Sequence, residues 1–505
     1  MTPVIYSTDF GENAPNEITE KGEQEASSFE LPEVSEESNR VESKKGFTKQ
    51  EIVAEIKQQL VLAGPLVCVN FFSYFLLVIS IAFVGHLGVL PLAGASIATA
   101  FTSMLGLTLL KGIGSALETF CGQSYGAKQY HMLGIHLQRG IVVLLLICIP
   151  ISIILANADR ILKFCRQDSQ ISDEAGQYAR FLIPGIFGFA LQECHVRFLQ
   201  TQKQVVPMMI SSGSTTLLHV LLCWMLVLKF GLGLKGAALA NSISNWINAL
   251  LLIAYSWLSP SCKETRAGCS SKALHGIPGF LKLAIPSAVM LGMEMWSFAI
   301  ITLLSGLLPN PKFESSVFSI SENMFTVAYT IPLGFSGAIS TRVSNELGAG
   351  RPQAALLAVR VVVSLVIIEG IITATVLISG RNFWPRLYSK EKGVVEHVGK
   401  MLFLLAISHF MDGIQSVLSG TCRGCGWQKI GAFANLGAYY IIGIPSAVVL
   451  AFIFHIGGKG FWIGIMIALS VQATLLGVVT FFTDWDKQAR KAKDRIKDTT
   501  IQKDS

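Results

Sequence analysis

The chain is short of charge. Asp, Glu, Lys and Arg make up 14% of its 505 residues, where soluble domains carry about 25%, so too few polar side chains exist to cover a water-facing surface. Strand-like alternation of apolar and polar residues is also missing, which excludes a β-barrel. The ten cysteines sit singly for the most part. The one close pair, Cys422-x-x-Cys425, lacks the histidines or second CxxC that a zinc site needs, and Cys262 and Cys269 form only a looser pair in a loop. No metal and no other cofactor is expected. The net charge of +7 comes without an aromatic-studded basic groove, so nucleic acid is not an expected partner. No apolar run precedes Leu60, so a signal peptide is not expected, and the first span itself is expected to start insertion.

What is present is hydrophobicity, at 51% of residues and a mean hydropathy of +0.53. Apolar stretches of about 20 residues or more are long enough to cross a hydrocarbon core of roughly 30 Å as helices. The reading is an all-α polytopic membrane protein with lipid as its surroundings. Twelve transmembrane helices are predicted over 60–84, 91–119, 136–157, 176–197, 205–228, 235–258, 280–307, 315–344, 353–379, 398–420, 433–455 and 460–482. Residues 1–55, rich in Glu and Ser, read as a disordered acidic tail. Residues 56–260 form a first lobe, 261–279 a polar inter-lobe loop, 280–483 a second lobe and 484–505 a basic tail.

An even number of spans puts both termini on one side. Lys and Arg counted over the loops favour the cytosol for that side by about two to one. The halves also resemble each other at a spacing of about 221 to 224 residues. Ala63-Gly64-Pro65 matches Ala284-Ile285-Pro286, Gln123 to Ala127 matches Asn345 to Ala349, and Lys235-Gly236 matches Lys459-Gly460. Six helices per copy make the repeat parallel. The expected architecture is two six-helix lobes related by a pseudo-two-fold along the membrane normal, with a cavity between them, as alternating access requires. No loop resembling a channel filter is visible.

An ionisable side chain inside a span is a functional candidate by default. The candidates are Lys111, Glu118, Glu193, Glu294, Glu322, Glu369 and Asp412. Glu118 and Glu193 fall near helix ends, where snorkelling or interfacial pairing explains them. Lys111 and Glu118 share a helix face but stand roughly 10 Å apart along the axis, too far to pair. Glu294 lies deep among apolar residues beyond Pro286. Asp412 shares its face with Ser408, Gln415 and Ser416. A carboxyl in low dielectric can take a proton from one side and release it on the other, so Glu294 and Asp412 are the expected proton-coupling or cation-exchanging pair. Asn241, Asn323 and Gln415 are expected as polar support. Trp296, Phe298, Phe325 and Tyr329 are expected to line or pack near the second lobe's cavity. Glu322 is either a third ionisable group or a structural contact, Glu369 a packing residue beside Gly370, and His409 a packed, hydrogen-bonded side chain.

Several motifs then carry a family resemblance: Val84-Gly-His-Leu-Gly88, Ser115 to Tyr130, Arg197-Phe-Leu-Gln-Thr-Gln202, Lys235 to Ser244, Leu303 to Pro311, Ser340 to Gly350 and Gly420 to Gln428. Together they resemble the multidrug and toxic compound extrusion (MATE) family, its plant detoxification branch in particular, from about Leu60 to Trp485. The resemblance implies a proton-coupled antiporter, not an enzyme, that exports small organic compounds such as alkaloids, flavonoids or xenobiotics across the plasma or vacuolar membrane. It implies that acids in helices 7 and 10, here Glu294 and Asp412, couple protons. The residues alone leave sodium open as the coupling ion, and nothing demands an oligomer, so a monomer is expected. The chain departs from the pattern where it has Ala299 for a common second acid, Glu322 for an apolar residue and Lys111 for another. Glu322 is expected to take over part of the missing acid's electrostatic role. The alternatives are a channel or uniporter for a small solute, which needs no buried acids, and a membrane-embedded enzyme. His409 and His455 are too isolated to form the catalytic cluster an enzyme needs.

Overall fold

A backbone placed in hydrocarbon has no water to bond, so it must satisfy its N–H and C=O groups internally. In the computed structural model the apolar runs do so as α-helices. The structure describes residues 46–501 apart from Cys269 and Lys390, with backbone only at 311–312 and 498–501. The expected disorder up to residue 45 and the expectation for Cys269 lie outside the described residues. The described residues contain no strand.

Among the described residues twelve long helices follow one another before a shorter C-terminal one. The first half holds α1 (Lys49–Gly85), α2 (Val89–Gly126), α3 (Tyr130–Ala156), α4 (Ser169–Thr201), α5 (Val205–Lys229) and α6 (Gly233–Leu258). The second holds α7 (Ile277–Ser305), α8 (Pro311–Gly348), α9 (Pro352–Ser379), α10 (Lys392–Cys425), α11 (Gln428–Ile453) and α12 (Gly458–Phe481). Ten of the twelve are long and apolar enough to cross a membrane by themselves. The other two, α4 and α8, have 33 and 38 residues but carry many polar side chains. Those polar side chains, such as Gln192, Glu193 and Arg342, are buried against other helices, which is why hydropathy alone undervalues both.

Two segments expected as tails are partly helical. Helix α1 begins at Lys49, so part of the supposed tail is helical; Glu55 and Gln59 lower its hydropathy, yet both are buried. The basic tail also contains a helix, α13 (Trp485–Ile501). Trp485 and Ala492 on one side of it are buried, and Arg495 Nη1 donates to Gln123 Oε1 at 2.7 Å. The opposite side keeps the charges in water, an amphipathic pattern rather than a free tail.

The repeat is visible in the backbone. Left-handed residues recur at matching places: Lys128 and Gly350, Lys203 and Gly426, Gly231 and His455. Helices α5 and α11 each end in a widened π turn, Trp224–Lys229 and Val449–Ile453. Within the first half α4 packs on α6, α3 and α2, and within the second α10 packs on α8, α9 and α12. The halves meet where α1 and α2 run along α8 and where α2 runs along α7.

The α2–α8 crossing marks the symmetry axis, because residues there touch their own repeat mates. Glu118 meets Ser340, a separation of 222 residues. A Cβ on Gly122 would lie 2.0 Å from Ser344 Oγ, one on Gly126 2.0 Å from the Asn345 carbonyl oxygen, and one on Gly348 2.0 Å from that of Gln123. Backbones approach this closely only without side chains, as at the small-residue interfaces of membrane helices. Gly348→Ala is therefore expected to force this crossing apart and to lower the thermal unfolding midpoint in detergent. Gly437→Ala, where nothing lies within 4 Å, is expected to be neutral or slightly stabilising. Equal midpoints for the two variants would refute the packing argument.

A buried acid pair and an inter-half ion cluster

Helix α7 is broken into by Pro286, and two turns further it carries Glu294 into the second half's interior. Glu294 is 5% exposed and Asp412 of α10 2%. Both Glu294 oxygens accept hydrogen bonds. Gln415 Nε2 donates to Oε2 at 3.0 Å, and Tyr329 Oη of α8 donates to Oε1 at 3.3 Å. Behind them Gln472 Nε2 of α12 donates to Asn435 Oδ1 at 2.6 Å, and Asn435 Nδ2 of α11 donates to the Met290 carbonyl at 2.7 Å. Asp412 has no hydrogen-bond partner among the described residues, but the carboxyls of Glu294 and Glu369 lie close enough to act on it through their fields. Five helices thus hold two acids in one apolar interior with uneven support: one doubly bonded, the other bare. Negative charge held in low dielectric is costly where little compensates it.

The other expected residues fall into place unevenly. Gln415 and Tyr329 join the acid pair directly. Asn241 does not: it accepts from Asn245 Nδ2 at 3.2 Å on its own helix in the first half. Asn323 also stands apart from the pair and accepts from Tyr74 Oη of α1 at 2.9 Å. Trp296 Nε1 donates across the interface to the Met104 carbonyl at 3.0 Å. Phe298 and Phe325 pack on each other, with ring centroids 6.1 Å apart, and Phe325 packs on Trp462, so both belong to the core. Glu322 accepts from Thr302 Oγ1 at 3.3 Å. Glu369 accepts from Thr373 Oγ1 at 2.7 Å and lies 3.1 Å from His409 Nε2, so His409 serves Glu369 and not Asp412.

Glu118 and Glu193 are a correction. They do not snorkel; they are buried at the α2–α4–α8–α10 junction because two arginines reach them there. Arg197 Nη1 lies 2.5 Å from Glu118 Oε1, and its Nη2 lies 2.5 Å from Glu193 Oε1. Arg423 Nε of α10 donates to Glu118 Oε2 at 3.1 Å, and Ser340 Oγ donates to the same oxygen. Arg197 and Arg423 stand 226 positions apart, off the 222 to 224 of the backbone repeat, so the repeat spacing does not predict that they converge. A second cluster ties α1 to α8, where Arg342 Nη2 lies 2.6 Å from Glu55 Oε2 and Nη1 lies 2.7 Å from Glu346 Oε1.

The comparisons with known proteins agree with this geometry. The family model described as MatE matches twice, over residues 65–225 and 286–449, starting each time at the proline that opens the repeat. The chain belongs to the MatE family. Protein DETOXIFICATION 16 of Arabidopsis thaliana is 54% identical over 456 residues, 90% of this chain and 94% of that protein. Protein DETOXIFICATION 15 of the same plant is 52% identical over 460 residues, 91% and 94% of the two chains. The crystal structure of the eukaryotic MATE transporter AtDTX14 matches with a TM-score of 0.85 at 45% identity, covering 88% of this chain and 100% of that one. That of the Vibrio cholerae MATE transporter VcmN in the bent form gives 0.75 at 16% identity, covering 88% and 100%, a likeness of fold alone. MatE membership makes the protein an integral membrane efflux transporter.

Proposed function

We propose that the protein exports small organic compounds from the cytosol in exchange for protons by alternating access, with Glu294 and Asp412 as the exchange site. The observation that carries this reading is the buried pair itself, one carboxyl doubly hydrogen-bonded and one bare, with Glu294 close enough to act on Asp412 through its field. A proton taken up by the pair removes the repulsion and the need for Gln415 and Tyr329 to hold a charge. The helices α7, α8 and α10 then relax, and the organic substrate leaves on the acidic side. On the cytosolic side, loss of the proton restores the charged, binding arrangement. Both termini lie in the cytosol in this reading, the membrane is the plasma or vacuolar membrane, and the working unit is a monomer. The test is uptake of a fluorescent organic compound into proteoliposomes under an imposed pH gradient. Accumulation above equilibrium that collapses with a protonophore supports the reading, and gradient-independent equilibration favours a uniporter. Sodium as the driving ion would appear as accumulation under a sodium gradient at equal pH.

Glu322, bonded only through Thr302 and near the Tyr74–Asn323 link between the halves, has a secondary part in this scheme. Glu322→Gln is expected to keep gradient-driven uptake but to shift its pH profile and lower its rate by roughly tenfold or less, since a half-buried charge acts through a partly screened field. An unchanged rate and pH profile would remove Glu322 from the mechanism.

A further inference from the structure

Lys111 is an ionisable side chain inside a span that the acid pair and the ion clusters leave unused. It sits in α2 just before the helix breaks at Ser115, and positions 111, 115 and 118 share one helix face. That face points at the second half. Ser115 Oγ lies 2.5 Å from Ser287 Oγ of α7, Glu118 accepts from Ser340 of α8, and a Cβ on the adjacent Gly112 would lie 2.4 Å from Ala288 Cα. Lys111 therefore projects between the halves and not into lipid. It is exposed, while its neighbours Gly112 and Ser115 pack on α7. An exposed side chain beside a helix face packed on the other half is reachable from the space between the halves.

The protein does not neutralise it. Among the described residues Lys111 has no ion pair and no hydrogen bond; its nearest recorded contact is the Phe189 ring of α4, with Nζ 5.9 Å from the centroid. Glu193 on the same helix as Phe189 is within the reach of its field but is held by Arg197. Glu118 and Glu193 balance Arg197 and Arg423 in that cluster, so Lys111 adds a positive charge that its surroundings leave unmatched. An unmatched ammonium inside a membrane protein is costly, and a ligand that brings the missing anion is held by that imbalance.

We propose that Lys111 is the recognition point for a negatively charged group on the transported molecule, so that the cargo is an organic anion whose apolar body lies against Phe189. This rests on the reading of the protein as an exporter of organic compounds and narrows its substrate class. The cargo's anion then belongs to the first half and the exchanged proton to the second, so the two do not compete for one side chain.

The test is equilibrium binding to purified protein in detergent, by fluorescence anisotropy, with no pH gradient. The probes are fluorescein, which carries a carboxylate and an ionised phenol, and its uncharged ester-ether derivative. Wild type is expected to prefer the anion. Lys111→Met is expected to weaken anion binding by about tenfold or more while leaving the neutral dye unchanged, and Lys111→Arg to restore most of the loss. Its unfolding midpoint is expected to equal or exceed that of wild type, because an unmatched charge is removed. The proposal is overturned if wild type binds the neutral dye as well as the anion, if Lys111→Met binds the anion as wild type does, or if its midpoint falls, which would make Lys111 a structural partner. None of these outcomes depends on proton coupling, whose failure would show only in gradient-driven uptake.

Discussion

Glu294→Gln and Asp412→Asn are each expected to abolish gradient-driven accumulation in proteoliposomes while leaving the protein folded. The amide keeps the shape of each side chain and removes the exchangeable proton. At position 294 it can still accept one hydrogen bond from Gln415 or Tyr329, which stand 3.0 and 3.3 Å from the carboxyl oxygens, so the local packing survives. At position 412 no described hydrogen bond is lost. Unfolding midpoints equal to or above wild type are expected, since each variant removes one of two mutually repelling charges from low dielectric. The double variant is expected to be no worse than either single one, because the two carboxyls act as a unit. Both variants accumulating substrate normally would move the coupling site elsewhere, with Glu322 the next acid to examine.

Glu118→Gln is expected to produce the largest loss of stability. The side chain is fully buried and bridges the halves, meeting Arg197 at 2.5 Å and Arg423 at 3.1 Å. Removing one partner of a buried charge cluster leaves the others uncompensated, at a cost of about 3–5 kcal/mol. Part of that cost appears as a lower unfolding midpoint. The rest appears as a shift away from the arrangement closed at the α2–α8 crossing, because Glu118 is held from both halves only when they touch. Cys422 and Cys425 of α10 are buried there, so their labelling by a maleimide, read by peptide mass spectrometry, is expected to rise in the variant. By contrast, Lys163→Ala breaks a pair whose side chains are 40% and 52% exposed, and such surface pairs contribute about 1 kcal/mol or less. If Glu118→Gln matched Lys163→Ala in midpoint and left the labelling unchanged, the cluster would not hold the two halves together.

The repeat explains why one acid can serve both halves. Arg197 and Arg423 approach the axis from α4 and α10, the fourth helix of each half. The position opposite Glu118 is Ser340, which donates to the carboxylate instead of repelling it. Two acids at these mates would face each other directly, and two serines would leave Arg423 without its carboxylate and Arg197 with Glu193 alone. The asymmetry at this one position lets arginines from both halves converge on one acid.

Local properties were legible in the sequence. Helix number, the parallel repeat and the membrane setting follow from runs of apolar residues and from Pro, Gly and Lys at recurring positions, since hydrocarbon leaves a backbone few alternatives to a helix. The isolation of Glu294 and Asp412 in apolar stretches was legible for the same reason. The start of α1 was not, because Glu55 looks like a tail residue until Arg342 is beside it, 287 residues away in the chain. Nor did hydropathy tell which charges meet. Only the tertiary structure decided that Glu118 binds both arginines, that Asn241 stands apart from the acid pair, and that Lys111 faces the other half unmatched. The physical reason is that a helix's hydropathy reports how it partitions into lipid, whereas the pairing of its charges depends on which distant helices the packing brings within a few ångströms.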